Sequence, residues 1–303
     1  MNTGSYITVI GRANIDISAK TIGSLVPQDS NPSVITKSAG GVGRNIAENL
    51  ARLGASVKLI AAFGGDALGK QLLDECRSIG IDVQHCRVNQ YAMTSTYIAI
   101  LNQDGEMHVG AVDDSNALTV ADIQASAVVL NGSAVIVVDT NLDEKVITDI
   151  LDAFPNNDIF VDAISTTKAR RIRDNVGRFH TVKMNSLEAA VLAGFKIDTE
   201  ADLERAGDYF LRKGTKCIAI SLGAQGLYYR TRDESIRLCP QPLVPKNATG
   251  AGDALMAGLV YCAVRGESAR RTAEFAQAMA RHTIMSETAV STQINTEVIM
   301  KQM

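Results

Sequence analysis

Short apolar runs alternate with amphipathic stretches along most of the chain, and this alternation predicts its secondary structure. Six runs are apolar on nearly every residue, which is typical of strands buried on both faces of a sheet. They span 6–11, 57–63, 134–139, 159–162, 181–184 and 217–222. Between them, apolar residues recur at the spacing of amphipathic helices. These helices span 44–53, 67–79, 144–154, 186–193 and 202–212.

Glycines follow four of the predicted helices, at the position where a helix commonly ends in a left-handed residue. They are Gly54, Gly80, Gly194 and Gly214. When a helix follows each strand, the chain usually makes a right-handed crossover and the next strand lies parallel to the previous one. The chain of 303 residues is therefore predicted to be an α/β protein, with a mostly parallel sheet covered by helices on both faces.

Two regions depart from this alternation. Residues 12–38 alternate apolar and polar positions without a good helix. Residues 94–112 predict a β-hairpin whose turn contains Asp104 and Gly105. We expect both regions to form a small antiparallel subdomain beside the main sheet, and ordinary edge strands are the alternative.

Composition narrows the range of functions. The formal charge is -3, Trp is absent and aromatic residues make up 5% of the chain, which disfavours nucleic-acid binding. The basic run at 168–173 is most simply a solvated helix face. The N-terminus lacks a signal-peptide pattern, and no apolar stretch is long enough to span a membrane.

The numbers and spacing of cysteine and histidine residues also limit the kinds of site that we expect. The five cysteines include no C-x-x-C pair and the four histidines are scattered, so we expect neither disulfides nor structural zinc. The expected class is a cytoplasmic protein that binds neither membranes nor nucleic acids.

Residues 249–258, TGAGDALMAG, place a glycine-rich turn directly before a helical pattern. Glycines let backbone N–H groups point inward, and the positive end of the helix dipole completes a site for an anion. Asp253, in the first helical turn, could act as a base there. An ordinary helix N-terminus is the alternative, but it leaves the three small residues Gly250, Ala251 and Gly252 unexplained.

Residues 38–54, SAGGVGRNIAENLARLG, contain a second glycine-rich turn, with Gly40, Gly41 and Gly43 ahead of Asn45. A dinucleotide fingerprint explains it poorly, because the spacing is not G-x-G-x-x-G and no clear strand precedes it. Close approach of the backbone and Asn45 to a polyol is an equally good explanation.

Asn14 and Asp16 alternate with apolar neighbours in ITVIGRANIDIS and so share one face of an extended segment. An Asp that accepts hydrogen bonds and an Asn that both donates and accepts them suit two adjacent hydroxyl groups. Turn chemistry at the end of a strand is the alternative.

Two further motifs lie between the glycine-rich turns. In KMNSLEA, Asn185 and Glu188 would share one side of a helix start, where they could hold Mg²⁺ and position phosphates. They could equally form a capping box. The turn SLGAQG ends a strand, and its Ser221 and Gly223 could line a nucleotide groove.

Together these motifs resemble the PfkB-type, ribokinase-like carbohydrate kinase family over nearly the whole chain. GGVGRNIAENLARLG and TGAGDALMAG occur in order, with N-x-x-E and S-x-G-x-x-G between them. The resemblance implies a three-layer α/β/α sandwich. It also implies a single kinase domain over 1–303, with a small β lid from about 12–38 and 94–112. A lid serves phosphoryl transfer because water must be excluded from the reaction.

The resemblance also implies roles for the motif residues. Asp253 would accept the proton of the attacking hydroxyl, beside N–H groups that stabilise the migrating phosphoryl group. The sugar would contact Asn14, Asp16, Gly40, Gly41 and Asn45. ATP would contact Asn185, Ser221, Gly223, Gly226, Thr249 and part of the helix at 275–285. Mg²⁺ would be held by Asn185 and Glu188, and a homodimer through the lid is implied.

Within the family, the first fifty-odd residues most resemble kinases of pseudouridine, through GRANIDI, DSNPS and GGVGRNIAENLARLG. ATP would then phosphorylate the ribose 5′-hydroxyl of this nucleoside. Asp29, Ser30 or Asn31 could reach the base, although a simple turn explains DSNPS at least as well. A kinase for another nucleoside or sugar (ribose, adenosine, a hexose derivative) is the alternative. Alternatives of other classes are a non-catalytic sugar sensor and, less favoured, a dehydrogenase.

One position departs from the family pattern. Members activated by a monovalent cation often carry an Asp six residues before the catalytic Asp, where this chain has Asn247. Because an amide has no net charge to offer K⁺, we expect weak K⁺ dependence.

Overall fold

The strands and helices follow the predicted alternation. The computed structural model describes residues 5–113, 115–247 and 249–303. The strands are β1 (Ile7–Ile10), β2 (Asn14–Thr21), β3 (Ser33–Gly40), β4 (Val57–Ile60), β5 (Ala62–Gly64), β6 (Ile81–Asp82), β7 (Arg87–Asn89), β8 (Thr96–Leu101), β9 (Met107–Val112), β10 (Val135–Asp139), β11 (Ile159–Asp162), β12 (Thr181–Asn185), β13 (Cys217–Ser221), β14 (Leu227–Thr231) and β15 (Ser235–Leu238). The helices are α1 (Val42–Arg52), α2 (Ala67–Ser78), α3 (Val120–Ala125), α4 (Ala127–Asn131), α5 (Glu144–Ala153), α6 (Thr166–Ala169), α7 (Ser186–Ala193), α8 (Glu200–Lys213), α9 (Ala251–Val264), α10 (Ala269–Ile284) and α11 (Thr296–Met300).

A main sheet of nine strands organises the chain, in the order β15-β14-β13-β12-β11-β10-β1-β4-β6. All neighbours from β13 to β6 are parallel, whereas β14 pairs antiparallel with both β13 and β15. The central strands β1, β10 and β11 are buried along their whole length, as their continuous apolar sequences require. The predicted mostly parallel sheet is confirmed.

Helices cover both faces of this sheet and create two apolar layers. One layer lies between the sheet and α1, α2, α9 and α10, around residues such as Leu59 and Phe275. The other lies beneath α3 to α8, around Ile136 and Phe210. The predicted α/β/α sandwich is therefore confirmed. No helix within the described ranges is long and apolar enough to cross a bilayer.

The predicted helix ends are confirmed in detail. Gly54, Gly80 and Gly194 have φ between 80° and 85°, and Gly214 has φ 119°, all in the left-handed region. At the other end of α8, the side chain of Thr199 accepts from the N–H of Asp202 in a capping box. Local sequence therefore sets where these helices start and stop.

Two differences from the sequence prediction concern which strands join the main sheet. The run at 57–63 divides into β4, in the main sheet, and β5, which pairs with β7 in a separate two-stranded sheet. The chain bends between them, where the N–H of Arg87 donates to the carbonyl of Ala61 at 2.9 Å. The antiparallel pair β14 and β15 was not predicted. An apolar run shows that a strand is buried but not which sheet it joins.

Residues 12–38 and 94–112 supply a small sheet of order β3-β2-β8-β9. The predicted hairpin is present as β8 and β9, and Gly105 takes φ 86° in its turn. The expectation of a wholly antiparallel subdomain is wrong, because the central strands β2 and β8 are parallel. A long stretch that includes α1 and α2 separates these two strands in the chain. Because they are not joined by a short hairpin turn, they can pair in parallel.

Candidate functional site

The first turn of α9 forms the centre of the site. Gly250 is its N-cap residue, with φ 82°. A Cβ on Gly250 would lie 1.9 Å from the carbonyl oxygen of Ala289, so both the space and the backbone conformation require glycine. The N–H groups of Ala251 and Gly252 have no acceptor within the helix, because they belong to its first turn. They can therefore donate to an anion.

Asp253 lies in the same turn and is 8% exposed. The Nδ2 of Asn45 donates a hydrogen bond to its Oδ2 at 2.8 Å. Burial and the nearby Asp162 carboxylate raise the pKa of Asp253 to about 7, against the opposing effects of Lys183 and Asn45. A carboxyl group with a pKa near neutrality suits general base catalysis.

Arg44 fixes the amide of Asn45. Its Nη1 donates to the Oδ1 of Asn45 at 2.7 Å, and its Nη2 pairs with Glu48 on the next turn of α1. Because the amide oxygen is occupied, the amide N–H₂ is directed to Asp253. The sequence analysis identified Asn45 but missed Arg44; a buried Arg–Glu pair at i and i+4 beside it was the available signal.

Lys183 is a second residue that the sequence analysis missed. It lies between the apolar Val182 and Met184 in β12, and its Nζ pairs with Asp162 at 2.9 Å. A Cβ on Gly252 would lie 2.5 Å from this Nζ, so the ammonium group lies directly against the glycine turn.

The charge of Lys183 is maintained despite its position. Burial alone would lower the pKa of Lys183, but the carboxylates of Asp162, Asp253 and Glu188 outweigh burial and raise it. A positive charge is therefore favoured beside the N–H groups of α9. A single Lys in a strand buried on both faces was the signal that could have identified it.

Asn14 and Asp16 lie together at the start of β2, as their alternation predicts. The Nδ2 of Asn14 donates to the Oδ1 of Asp16 at 2.5 Å. Burial raises the pKa of Asp16. Gly40, which pairs with Asn14 at the end of β3, packs against the Asp16 carboxylate, where a Cβ would collide. Gly41 is the N-cap of α1, with φ 97°.

Asn185 and Glu188 form the capping box that the sequence analysis held as an alternative. The Oδ1 of Asn185 accepts from the N–H of Glu188 at 2.9 Å, and the Oε2 of Glu188 accepts from the N–H of Asn185 at 2.8 Å. Glu188 is buried, which raises the pKa of its carboxyl group. The pair lies where β12 ends, beside the last residue of β13.

A groove of about 350 Å³ adjoins the start of α9. Ser221, Gly223 and Gly226 line it, together with Ala251 and Gly252. Its remaining lining is largely apolar and includes Pro240, Pro242, Leu243, Pro245, Ala280 and Ile284, which are drawn from the segment before α9 and from α10. Apolar walls with a few polar groups suit a flat heterocycle.

Gln277 on α10 adds a polar group to this wall. Its Oε1 is buried and has no hydrogen-bond partner in the described part of the chain. Thr249 precedes the glycine turn, and its N–H donates to the Oδ1 of Asn247 at 2.9 Å. Ser221, Gly223 and Gly226 thus line one groove with Ala251 and Gly252, the two residues before Asp253, whereas Asn185 and Thr249 are not among its lining residues.

Asp29 and Asn31 lie apart from the other predicted residues. They belong to the loop at the far end of the β2–β3 pair, where Asn31 bonds to the backbone of Val26 and Asp29. Thr21 lies seven positions after Asn14 along the extended strand, or roughly 23 Å away at about 3.3 Å per position. Within one chain, this loop is therefore distant from Asp16, and a role in substrate binding stays a prediction.

Comparisons with known proteins agree with this geometry. The description pfkB family carbohydrate kinase matches residues 5–296. The chain is 38% identical to the pseudouridine kinase of Escherichia coli K12 over 281 residues, which cover 91% of this chain and 90% of that protein.

Solved structures show the same similarity. A carbohydrate kinase from Agrobacterium tumefaciens is 27% identical, with a TM-score of 0.86 over 98% of this chain and 96% of that one. The ribokinase of Arabidopsis thaliana, solved in complex with ribose and ATP, shares the fold at 18% identity, with a TM-score of 0.85 over 99% of each chain. Since the family match extends over nearly its whole length, this chain belongs to the pfkB family of carbohydrate kinases, which are phosphotransferases with an alcohol group as acceptor.

Proposed function

We propose that this kinase transfers the terminal phosphoryl group of ATP to the ribose 5′-hydroxyl of a nucleoside. The proposed preferred nucleoside is pseudouridine. The observation that carries the proposal is the position of Asp253, a buried carboxyl group with a pKa of about 7 in the glycine turn where the groove ends. A non-catalytic sensor on the same fold would have no need for such a base.

The site residues divide the chemistry between them. The Asp253 carboxylate accepts the proton of the hydroxyl group, whose oxygen forms a bond to the terminal phosphorus as the bond to the leaving ADP oxygen breaks. The N–H groups of Ala251 and Gly252 and the ammonium group of Lys183 stabilise the charge on the phosphoryl oxygens. Asn45 keeps Asp253 oriented throughout.

Asn14 and Asp16 would bind the hydroxyl groups of the ribose. Their side chains are already hydrogen-bonded to each other, so the carboxylate is presented in a fixed orientation at the start of β2. The identity to pseudouridine kinase over most of both chains supports a nucleoside as the acceptor. Another nucleoside or a free sugar would use the same hydroxyl contacts and remains the alternative.

Mg²⁺ is the expected companion of ATP, and the donor set at the end of β12 fits it. Glu188 supplies carboxylate oxygens and Asn185 an amide oxygen, which are the ligand types that Mg²⁺ accepts. Both side chains now bond to each other, so they would hold the ion through water or after a small rearrangement. The ion would neutralise charge on the phosphates.

The small sheet would act as the lid of the site and as a dimer interface. Asn14 and Asp16 on β2 and Gly40 at the end of β3 connect its base directly to the acceptor site. One of its faces carries exposed apolar residues, among them Ile35, Ile98 and Val109, which a second copy of the chain would cover. A cytoplasmic location stays a prediction.

A substrate screen tests the proposal. ATP consumption is measured with pseudouridine, uridine, adenosine, ribose and fructose 6-phosphate, for the natural protein and for Asp253→Asn. We expect a clear preference for pseudouridine and a loss of kcat of about 100-fold or more in Asp253→Asn, since it lacks the general base.

Binding of the nucleoside to Asp253→Asn should persist, and Asp152→Asn, which alters an exposed carboxylate, should behave as the natural protein does. Preference for uridine or ribose would refute the choice of pseudouridine and leave the chemistry standing. Nearly unchanged turnover in Asp253→Asn would show that the base is misassigned. Nucleoside binding without turnover in the natural protein would favour the sensor.

A further inference from the structure

A row of hydrogen-bonded side chains on α1 ends at Asp253, the proposed base. It begins at Arg52 in the last turn of α1 and continues through Glu48 and Arg44 to Asn45, which contacts Asp253. Arg44 and Glu48 are 6% and 5% exposed, so their ion pair is buried. Because desolvation can offset the attraction within a buried ion pair, stability alone is a weak reason for its presence.

Glu48 gives one carboxylate oxygen to each of two arginines. Its Oε1 accepts from the Nε and Nη2 of Arg52 at 2.8 and 2.6 Å, and its Oε2 pairs with the Nη2 of Arg44. Arg52 is anchored further by its Nη1, which donates to the carbonyl of Thr292 at 3.3 Å. The carboxylate of Glu48 is therefore held from both sides, and it fixes the guanidinium group of Arg44.

The planar guanidinium group of Arg44 connects Glu48 to Asn45. Its Nη2 bonds to Glu48 and its Nη1 donates to the Oδ1 of Asn45 at 2.7 Å, whereas its Nε has no hydrogen-bond partner in the described ranges. The nitrogen atoms of a guanidinium group keep fixed directions relative to one another. The bond to Glu48 therefore sets the direction of the bond to Asn45.

The orientation of the Asn45 amide decides which group faces Asp253. An asparagine can present either its oxygen or its N–H₂ group to a neighbour. With the oxygen bound by Arg44, the Nδ2 donates to the Oδ2 of Asp253 at 2.8 Å. The reverse orientation would place an oxygen against the carboxylate and disfavour its ionised form. Arg44 thus selects the orientation of Asn45 that stabilises the base.

Other charged groups act on Asp253 without passing through α1. Asp162 on β11 raises the pKa of Asp253, Lys183 on β12 lowers it, and Asp139 on β10 raises it. All three lie on strands of the main sheet and are separate from the row on α1. A change confined to the ion pair of α1 leaves these three groups in place.

Two further titratable groups lie beside this ion pair. Burial raises the pKa of the Cys76 thiol to about 11, so the thiol is uncharged at neutral pH. Burial also raises the pKa of Asp16, and the charge of Arg44 is among the effects that oppose it. Because Arg44 acts on Asp16 as well as on Asn45, an effect on Asp253 is best measured as kcat with the acceptor saturating.

We propose that Glu48 is a positioning residue for phosphoryl transfer, which acts through Arg44 and Asn45 to hold the base Asp253 in its reactive orientation. The proposal rests on the proposed function and deepens it. Three contacts separate Glu48 from Asp253, and the last of them is made by Asn45. The effect of the ion pair on turnover should therefore depend on Asn45, which a purely structural role would not require.

The test removes the ion pair with Arg44→Met and Glu48→Gln together. A change of Glu48 alone would leave Arg44 buried without a counter-charge and destabilise the fold. The combined change removes both charges and keeps an oxygen for Arg52. With ATP and pseudouridine saturating, we expect kcat to fall about tenfold, because Asp253 loses its fixed orientation. The KM for ATP should change little, and the acidic limb of the kcat profile should move to higher pH.

Arg44→Lys is a milder second variant. It keeps a cation beside Glu48 but lacks the planar fork that reaches Glu48 and Asn45 together, so part of kcat should be lost. Arg270→Met with Glu274→Gln is the matched control, because it removes a more exposed Arg–Glu pair of the same spacing from α10. The control should keep the kcat and the pH profile of the natural protein, and thermal unfolding checks the fold of every variant.

A double-mutant cycle with Asn45→Ala identifies the path of the effect. In the Asn45→Ala background, the combined change of Arg44 and Glu48 should lower kcat by less than about twofold further, because the residue through which the pair acts is absent. If the combined variant does not fold, the same cycle with Arg44→Lys decides. Non-additive losses that spare the matched control support the proposal.

The remaining outcomes separate the positioning role from the function on which it rests. Additive losses in the cycle, or an unchanged kcat and acidic limb when the pair is altered, would refute the role of Glu48 and leave the kinase reaction standing. If the natural protein phosphorylates no nucleoside or sugar, or if Asp253→Asn keeps nearly full turnover, the base is misassigned and the positioning role is refuted with it.

Discussion

At the scale of single residues, the site depends on where charge is buried. Asp253 is buried, and the hydrogen bond from Asn45 and the charge of Lys183 only partly offset the cost of its ionisation. Lys183 keeps its proton because buried carboxylates surround it. The same sheet edge therefore holds a carboxyl group with a pKa near neutrality and a lysine whose pKa is raised.

The pKa of Asp253 leads to a prediction about pH dependence. Below a pH of about 7, Asp253 is protonated and cannot accept a proton, so kcat/KM should fall as the pH decreases through this value. Asn45→Ala removes a hydrogen bond that favours the ionised form, and the acidic limb should move to higher pH. The measurement is the pH profile of kcat/KM for the nucleoside. An acidic limb at the same pH in Asn45→Ala would contradict the assignment of this limb to Asp253.

Asn247 leads to a prediction about monovalent cations. Its side chain is neutral, and its Oδ1 already accepts from the N–H of Thr249 at 2.9 Å, so it offers K⁺ no charge. Initial rates at equal ionic strength should differ only weakly between Na⁺ and K⁺. A large increase in rate with K⁺ would show that other oxygen atoms form a cation site here.

At the scale of elements, the decisive features are the junctions between loops and helices. The first turn of α9 combines a left-handed residue, two free N–H groups and a carboxylate within four residues. The start of α1 is built similarly around Gly41, and Asn45 in its first turns reaches Asp253, although 208 residues separate them in the chain. Two helix starts that face each other therefore assemble the site.

The glycine turn can be tested by comparing two left-handed glycines. Gly250→Ala introduces a Cβ in a left-handed residue and against the carbonyl of Ala289, whereas the Cβ of Gly54→Ala meets nothing within 4 Å. Both should lose about 1–2 kcal/mol of stability from the backbone conformation alone. Only Gly250→Ala should also lose most of its kcat, because α9 must shift. Thermal unfolding and kcat are the measurements, and equal kcat in both variants would show that the turn tolerates displacement.

At the scale of the whole molecule, two sheets meet at the proposed acceptor site. The main sheet supplies the ends of β1, β10, β11 and β12, and the small sheet supplies Asn14 and Asp16 from β2. Apolar residues on β3, β8 and β9 remain exposed on one face of the small sheet, although exposed strands tend to carry charge in proteins that stay monomeric.

The exposed face leads to a prediction about assembly. If two copies pair through it, Ile35→Glu should convert a dimer into a monomer, because a charge would be buried against apolar side chains. Thr36→Glu, on the opposite face of β3, is the matched control and should stay dimeric. Light scattering after size exclusion measures the mass of each species. A natural protein that is monomeric, or a dimer that survives Ile35→Glu, would contradict the proposed interface.

The sequence by itself determined the main strands and helices and the two glycine-rich turns. Strands β1, β10 and β11, the helix-ending glycines and the first turn of α9 follow from local patterns, because burial on both faces, left-handed φ and helix capping are imposed by neighbours along the chain. Asn14 with Asp16 and Asn185 with Glu188 were found for the same reason, since each pair lies within three residues.

Only the tertiary structure decided which distant residues meet. The contact of Asn45 with Asp253 and the pairing of Lys183 with Asp162 join strands and helices that are far apart in sequence. The division of residues 57–63 between two sheets and the parallel pairing of β2 with β8 also depend on contacts between residues that are distant in sequence. The pKa of Asp253 depends on burial by all of these elements together, and no local pattern encodes it.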